Sequence, residues 1–339
     1  MSNQLNFSVP SRGRIGEQTN SFLSACGLSI SRPNPKQYAA TIPTIPGITV
    51  HMLRSADIVG QVSAGNADIG ITGLDDLRER QREGDDVILI LDDLGFSRAR
   101  LVLAVPEEWV DVSNMNDLAE IALEFGDSSR NLRVATSYPK LTRDFLSNHR
   151  IHNFTLVETA GAVEAAPGMG AADVIVDISE TGTSLRENRL VALPDGVVIQ
   201  SSACLIGNSA KLGKAPQKRS LLRPVLEFIE AHLNGCDLHT VTANVRGSSD
   251  TTVAKKVLAN TSVAGILGPT ISWVASPQSD NSDRWFSVSV TVPGNLLLTA
   301  VDHLRSVGAT SIVARGADYV FDETSCIYQA LLSTLGVEE

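Results

Sequence analysis

The run DISETGTSL, Asp177 to Leu185, holds two carboxylates, a glycine and the hydroxyls of Thr181, Thr183 and Ser184 in one short stretch. It follows an apolar strand-like segment (Val174, Ile175, Val176) and leads into a helix-compatible one, TSLRENRL. Gly182 would let the backbone come close to an anion. Successive N–H groups at a helix start point outward with partial positive charge. The hydroxyls add donors for phosphate oxygens, and Asp177, at the strand end, would accept hydrogen bonds from sugar hydroxyls. The chemistry suits a phosphorylated ribose. The same residues also suit a plain N-cap and tight turn, for which Thr, Gly and Ser are favoured.

A second charged group lies in the loop PSRGR, where Arg12 and Arg14 flank Gly13 after the first strand-like segment. Two arginines beside a glycine turn suit phosphate oxygens, and equally suit a solvated surface loop.

Elements must position these residues. LNFSV, LRVAT, FTLVET and ADVIVDIS read as short strands, and VILIL and RLVLAV as strands without alternation, as expected where both faces of a sheet are covered. Helix-compatible segments separate most of them, one carrying Ile15, Thr19, Phe22, Leu23 and Cys26 on a stripe. Asn116 or Asp117 is expected to cap another, through Leu118, Ile121, Ala122 and Phe125. Such alternation predicts an α/β fold with parallel, doubly wound sheets. VVIQSSACLIG reads as one long strand, and a helix is expected around Pro224–Leu233.

After Gly235 the pattern changes. Phe286, Val288, Val290 and Val292 alternate with polar residues, which predicts a sheet with one solvated face. The order strand, helix, strand, strand, helix, strand is that of a ferredoxin-like α+β module, with SPQSDNSD as a polar hairpin loop. Residues beyond Asp322 form an extension whose structure is not legible.

Composition bounds the rest. With 339 residues, 43% hydrophobic and 19% charged, the chain is an ordinary globular protein of two or three domains. A net charge of −10 argues against a nucleic-acid partner. The amino terminus lacks the pattern of a signal peptide, and no apolar run approaches the roughly 20 residues of a membrane helix. Cys26, Cys204, Cys236 and Cys326 are far apart and read as small core residues of a reduced, cytoplasmic protein. The histidines form no ligand cluster.

In order along the chain, PSRGRI, ADIGITGLD, DLGFSRARL, RVATSYPKL, GAVEAAPGMGAADVIVDISETGTSL and GPTI carry a resemblance to ATP phosphoribosyltransferase in its long form, from about Phe7 to Phe321. The resemblance implies transfer of 5-phosphoribosyl from phosphoribosyl pyrophosphate to a ring nitrogen of ATP's adenine. That is the first step of histidine biosynthesis, with Mg2+ carried on substrate phosphates rather than by protein ligands. It implies that Asp177, Glu164 and Arg14 serve the reacting centre, and that Asp177, Glu180, Thr181, Gly182, Thr183 and Ser184 hold phosphoribosyl pyrophosphate. Arg12, Arg14, Gly73, Leu74, Asp93, Ser137 and Tyr138 would meet ATP. Arg12 stands where the family commonly has Lys, and Ser11 departs from its pattern. Arg100 also matches a family position.

The carboxy-terminal module resembles the family's ACT-like regulatory domain. Histidine would bind there as inhibitor, near Asn244, Thr270 and Ser311, because feedback by a ligand unlike either substrate needs a second site. The family also implies a periplasmic-binding-protein-like catalytic core and homo-oligomers, dimers or hexamers. The implied division is 1–98 with 198–235, 99–197, then 236–322 and an extension 323–339. Two rivals remain: a binding protein for a phosphorylated ligand, and a catalytically silent regulatory paralogue.

Overall fold

The structure, a computed structural model, describes residues 4–32, 34, 39–128, 130–159, 161–265, 268–275 and 284–338, with Arg14 described by its backbone only. The stretch 276–283, expected as a hairpin loop, lies outside the described residues.

The first lobe contains β1 (Leu5–Pro10), α1 (Gly13–Ala25), β2 (Ala39–Thr41), β3 (Ile48–Leu53), α2 (Ser55–Ser63), β4 (Ile69–Gly73), α3 (Leu74–Arg80) and β5 (Val87–Leu91). The second contains β6 (Ala99–Pro106), α4 (Met115–Asp127), β7 (Leu132–Thr136), α5 (Pro139–Asn148), β8 (Phe154–Glu158), β9 (Val174–Ser179), α6 (Thr183–Glu187) and β10 (Leu190–Ser201). The chain then returns to the first lobe as β11 (Ala203–Asn208) and α7 (Ser209–Lys214) and enters α8 (Pro216–Gly235). The lobes' sheets have the orders β2-β3-β1-β4-β11-β5 and β10-β6-β9-β7-β8.

Alternate residues of the second sheet enter two different cores. Leu101, Leu103, Val105, Val174 and Val176 face one, while Val102, Ala104 and Ile175 face the other. That double burial is why these strands show no alternation. The sheets are mixed rather than wholly parallel. β1 pairs parallel with β3 and β4, but β11 runs antiparallel to β4 and β5, and β6 runs antiparallel to β9 and β10. Strand direction depends on where the chain crosses between lobes, which periodicity does not encode.

The long strand expected over Val197–Gly207 is two strands in two sheets, broken at Ser202. The cap of α4 is Asn114, whose side chain accepts from the N–H groups of Asn116 and Asp117. Helix α8 begins well before Pro224, which sits inside it. Cys26 and Cys204 are core residues, with burial first and the Asp75 charge next pushing the Cys204 thiol to about 12. Cys236 and Cys326 are exposed, against expectation.

The described chain forms two compact units, Met1–Pro224 with Gln329–Glu339, and Val225–Tyr328. The second unit holds β12 (Leu238–Gly247), α9 (Asp250–Val257), β13 (Thr270–Val274), β14 (Arg284–Pro293), α10 (Leu297–Ser306) and β15 (Thr310–Gly316). Its antiparallel sheet has the order β13-β14-β12-β15, and Val241, Val245, Val288 and Val290 face its helices. This is the ferredoxin-like, ACT-like arrangement. The tail beyond Asp322 forms α11 (Cys326–Leu335).

Candidate functional site

The loop after β9 turns into α6 at Gly182, which has φ +71° and caps the helix. Only a residue without Cβ takes that conformation at little cost. Leu185, 5% exposed, pins α6 against the core behind β6 and β9. The first N–H groups of α6 have no carbonyl in a preceding turn to receive them. Because α6 spans only Thr183–Glu187, its dipole is short, and local N–H and hydroxyl donors carry most of its attraction for an anion. Thr181 and Thr183 share a hydroxyl contact of 2.9 Å. Arg186 donates to Thr183 Oγ1 at 3.2 Å and to the Thr181 carbonyl at 3.4 Å, placing a guanidinium on the loop.

A cavity of about 350 Å³ opens beside this loop, lined by Asp177, Glu180, Thr181, Gly182, Thr183 and Ser184 together with Glu164. Asp177 accepts one hydrogen bond, from the Ile178 N–H at 2.8 Å. Burial raises its carboxyl to about 6; that N–H pulls it down, and the Glu164 charge pushes it up again. Glu164 reaches the cavity from a one-turn 3₁₀ helix, Val163–Ala165, entered through Ala162 at φ +51°.

An adjoining cavity of about 500 Å³ shares Glu180 and is lined by Asp93, Arg98, Arg100, Gln200, Ser201 and Ser202. Asp93 accepts from the Gly95 N–H at 2.8 Å and from Arg98 at 2.9 Å. Ser137 lines a third, larger cavity of about 1290 Å³ with Lys140, Glu79 and Glu158, and donates to the Thr159 carbonyl at 2.7 Å.

The lobes are tied where α3 meets α5. Glu79 on α3 accepts the N–H groups of Lys140 and Leu141 at 2.8 and 2.9 Å, capping α5. Lys140 in turn donates to the Arg78 and Gln81 carbonyls at the end of α3, at 3.0 and 2.9 Å. Each helix thus supplies the charge that the other's end favours. Beside this tie, Tyr138 donates to Asp75 at 2.6 Å. Burial, then the Asp75 charge and hydrogen bond, then Asp76 and Asp177 hold the Tyr138 phenol well above its usual range.

The family model described as HisG: ATP phosphoribosyltransferase matches residues 54–231, and HisG, C-terminal domain, matches 237–315. ATP phosphoribosyltransferase 1, chloroplastic, of Arabidopsis thaliana is 35% identical over 336 residues, covering 98% of this chain and 82% of the relative. The chain belongs to the ATP phosphoribosyltransferase family. The ATP phosphoribosyltransferase of Bradyrhizobium sp. (strain ORS 278) is 33% identical, covering 98% of each chain. Among solved structures, the ATP phosphoribosyl transferase (HisG:HisZ) complex from Thermotoga maritima superposes with a TM-score of 0.51 at 26% identity, covering 67% of this chain and 99% of that one.

Of the residues an ATP phosphoribosyltransferase reading singles out, the structure gathers Asp177, Glu164 and Glu180–Ser184 at one cavity and Asp93 and Arg100 at its neighbour. Ser137 lies at the third. Arg12 is exposed just before α1, and the Arg14 side chain lies outside the described residues. Gly73 serves the fold: a Cβ there would sit 2.3 Å from Asp75 Oδ1. Leu74 packs beside α2 with Leu53.

In the second unit, Asn244 and Thr270 share the open sheet face through the registers Asn244↔Ser287 and Thr270↔Ser289, with β14 between their strands. Ser311, exposed at φ +53°, sits on β15 at the other edge. Among the described residues no group of three or more His, Cys, Asp or Glu side chains is placed to hold a metal ion.

Sequence reasoning passed over Arg186 and Ser201, and read Asp75 only as a residue that could cap or turn the chain. Arg186 had a signal, a cation directly after the hydroxyl run. Asp75 and Ser201 had none, because they meet only through the fold.

Proposed function

We propose that this chain transfers the 5-phosphoribosyl group of phosphoribosyl pyrophosphate to a ring nitrogen of ATP's adenine, the first step of histidine biosynthesis. The observation that carries the reading is the single cavity uniting Asp177, Glu164 and the loop Thr181–Ser184.

The lone pair of the adenine nitrogen forms the C–N bond at the anomeric carbon. The C–O bond to pyrophosphate breaks with its electron pair leaving on the pyrophosphate, and the adeninium so formed releases a proton to water. Positive charge grows on the ribose and negative charge on the leaving group, so alignment and electrostatics dominate. In this reading Thr181, Thr183, Ser184 and the α6 N–H groups hold the 5-phosphate, with Arg186 beside them. Asp177 accepts the ribose hydroxyls, and its charge and that of Glu164 favour the developing cation. Arg12 and Arg14 meet phosphates of ATP or pyrophosphate, while Gly73, Leu74, Asp93, Ser137 and Tyr138 shape the nucleotide side. Mg2+ enters with the substrate, bound to its pyrophosphate, and offsets leaving-group charge.

The reading extends to a cytosolic homo-oligomer inhibited by histidine at the ACT-like module. Asn244 and Thr270, on one hydroxyl-rich sheet face, support a polar effector there, with Ser311 at its edge.

The test is to mix protein, ATP, phosphoribosyl pyrophosphate and Mg2+ with pyrophosphatase and follow phosphoribosyl-ATP by mass. Product requiring both substrates is expected. Folded protein that binds phosphoribosyl pyrophosphate yet forms no product would favour the silent paralogue.

A further inference from the structure

Asp75 lies in the first turn of α3, where a carboxylate is ordinarily a helix-end charge. Here it is 8% exposed and turned inward. Tyr138 Oη donates to Oδ2 at 2.6 Å and Ser201 Oγ donates to Oδ1 at 2.5 Å, while the Asp75 N–H donates to Ser201 Oγ at 3.1 Å. The room for this comes from Gly73, whose missing Cβ would otherwise collide with Oδ1.

The three residues come from three different places. Asp75 belongs to the first lobe. Tyr138 is the residue before α5 of the second lobe, in a backbone conformation of φ −125°, ψ 65° that regular elements do not use. Ser201 ends β10, one residue before the chain crosses back at Ser202, whose carbonyl accepts the Leu74 N–H at 3.0 Å. Asp75 therefore joins one lobe, the other lobe and the crossing between them. Ser201 also lines the cavity next to the phosphate loop, and Tyr138 is near enough to Asp177 to feel its charge.

Both side-chain partners are hydroxyl donors, so the geometry requires an acceptor at each oxygen. Asparagine keeps the shape but turns an NH₂ toward one of two donors. A buried acid adds little net stability over apolar packing of the same volume. What this one supplies is direction, fixing Tyr138 Oη and Ser201 Oγ on either side of a rigid plane.

We propose that Asp75 is a positioning residue for the transfer reaction, holding Tyr138 to Ser201 at the inter-lobe crossing and so setting the nucleotide wall of the cleft against Asp177. The proposal rests on the transferase reading above.

The test compares wild type with Asp75→Asn, Tyr138→Phe and Ser201→Ala, each checked for native melting behaviour. In Asp75→Asn the KM for ATP rises about tenfold or more, the size expected for a lost hydrogen bond to a charged group. The KM for phosphoribosyl pyrophosphate stays within about twofold, because the phosphate loop is untouched. Tyr138→Phe moves the same constant, and the double variant Asp75→Asn/Tyr138→Phe is no worse than the worse single, since both break one contact. A merely structural residue would lower the melting temperature and leave both KM values of the folded enzyme unchanged, which would overturn the proposal. If Asp75→Asn fails to fold, Tyr138→Phe and Ser201→Ala decide by the same constants.

Amide exchange over 138–141 and 201–203 gives a readout independent of turnover. It speeds up in Asp75→Asn if the tie exists and stays at the wild-type rate if it does not. Wild type that makes no product while its exchange responds to Asp75→Asn would overturn both the transferase reading and the catalytic half of the proposal, leaving the tie as an architectural fact.

Discussion

Asp177 is held half out of water beside Glu164, with one backbone N–H to receive. Its carboxyl titrates near 6 against an ordinary 3.8, so folding favours the neutral form. That contribution is complete below about pH 4 and is lost as pH rises through about 6. Asp177→Asn, neutral throughout, is therefore expected to be more stable than wild type at pH 8 by about 1–3 kcal/mol, with the gap closing toward pH 4. Urea midpoints across that range check it; a pH-independent gap would contradict the cause given. Ala162 makes a second point at this scale. Its φ of +51° is strained for a residue with Cβ, so Ala162→Gly is expected to raise stability by about 0.5–1 kcal/mol, read from the same midpoints. The clustering of Asp177–Ser184 at one cavity was legible because these residues are contiguous in the chain. The role of Asp75 was not, because its partners Tyr138 and Ser201 arrive from residues far away in sequence.

The elements explain how short segments hold a site still. β9 is buried on both faces, α6 is anchored by Leu185, and α5 is capped by a carboxylate from the other lobe. Leu185→Ala is expected to cost about 2–4 kcal/mol and to weaken phosphoribosyl pyrophosphate binding, measured by denaturation and calorimetry. Glu79→Ala removes the cap of α5 and is expected to cost about 1 kcal/mol, with faster amide exchange at Lys140 and Leu141. Most strands were readable from apolar runs, and the alternation of Phe286 to Val292 gave the one-sided sheet directly. β2 and β3 escaped notice; β2, only Ala39–Thr41, is too short to show a pattern. The helix expected around Pro224–Leu233 is longer, because α8 starts at Pro216 and carries Pro224 in its interior.

At the scale of the molecule, the chain combines an α/β unit of two lobes with a separate antiparallel, ACT-like module. The change of periodicity near Gly235 falls just before β12, the first strand of that module. The mixed strand directions were not legible, since they follow from the crossings between lobes. Histidine is expected to lower the initial rate without competing with either substrate, because it resembles neither. A flat histidine titration of an active enzyme would count against a working regulatory module.

The measurement closest to the centre of the account is the initial rate against phosphoribosyl pyrophosphate concentration for wild type and Thr181→Val/Thr183→Val. These isosteric changes delete the two loop hydroxyls and leave the backbone in place. The account predicts a KM for phosphoribosyl pyrophosphate raised about tenfold or more with the KM for ATP unchanged, the size of hydrogen bonds lost to a charged phosphate. Equal constants in wild type and variant would contradict the assignment of the Asp177–Ser184 loop.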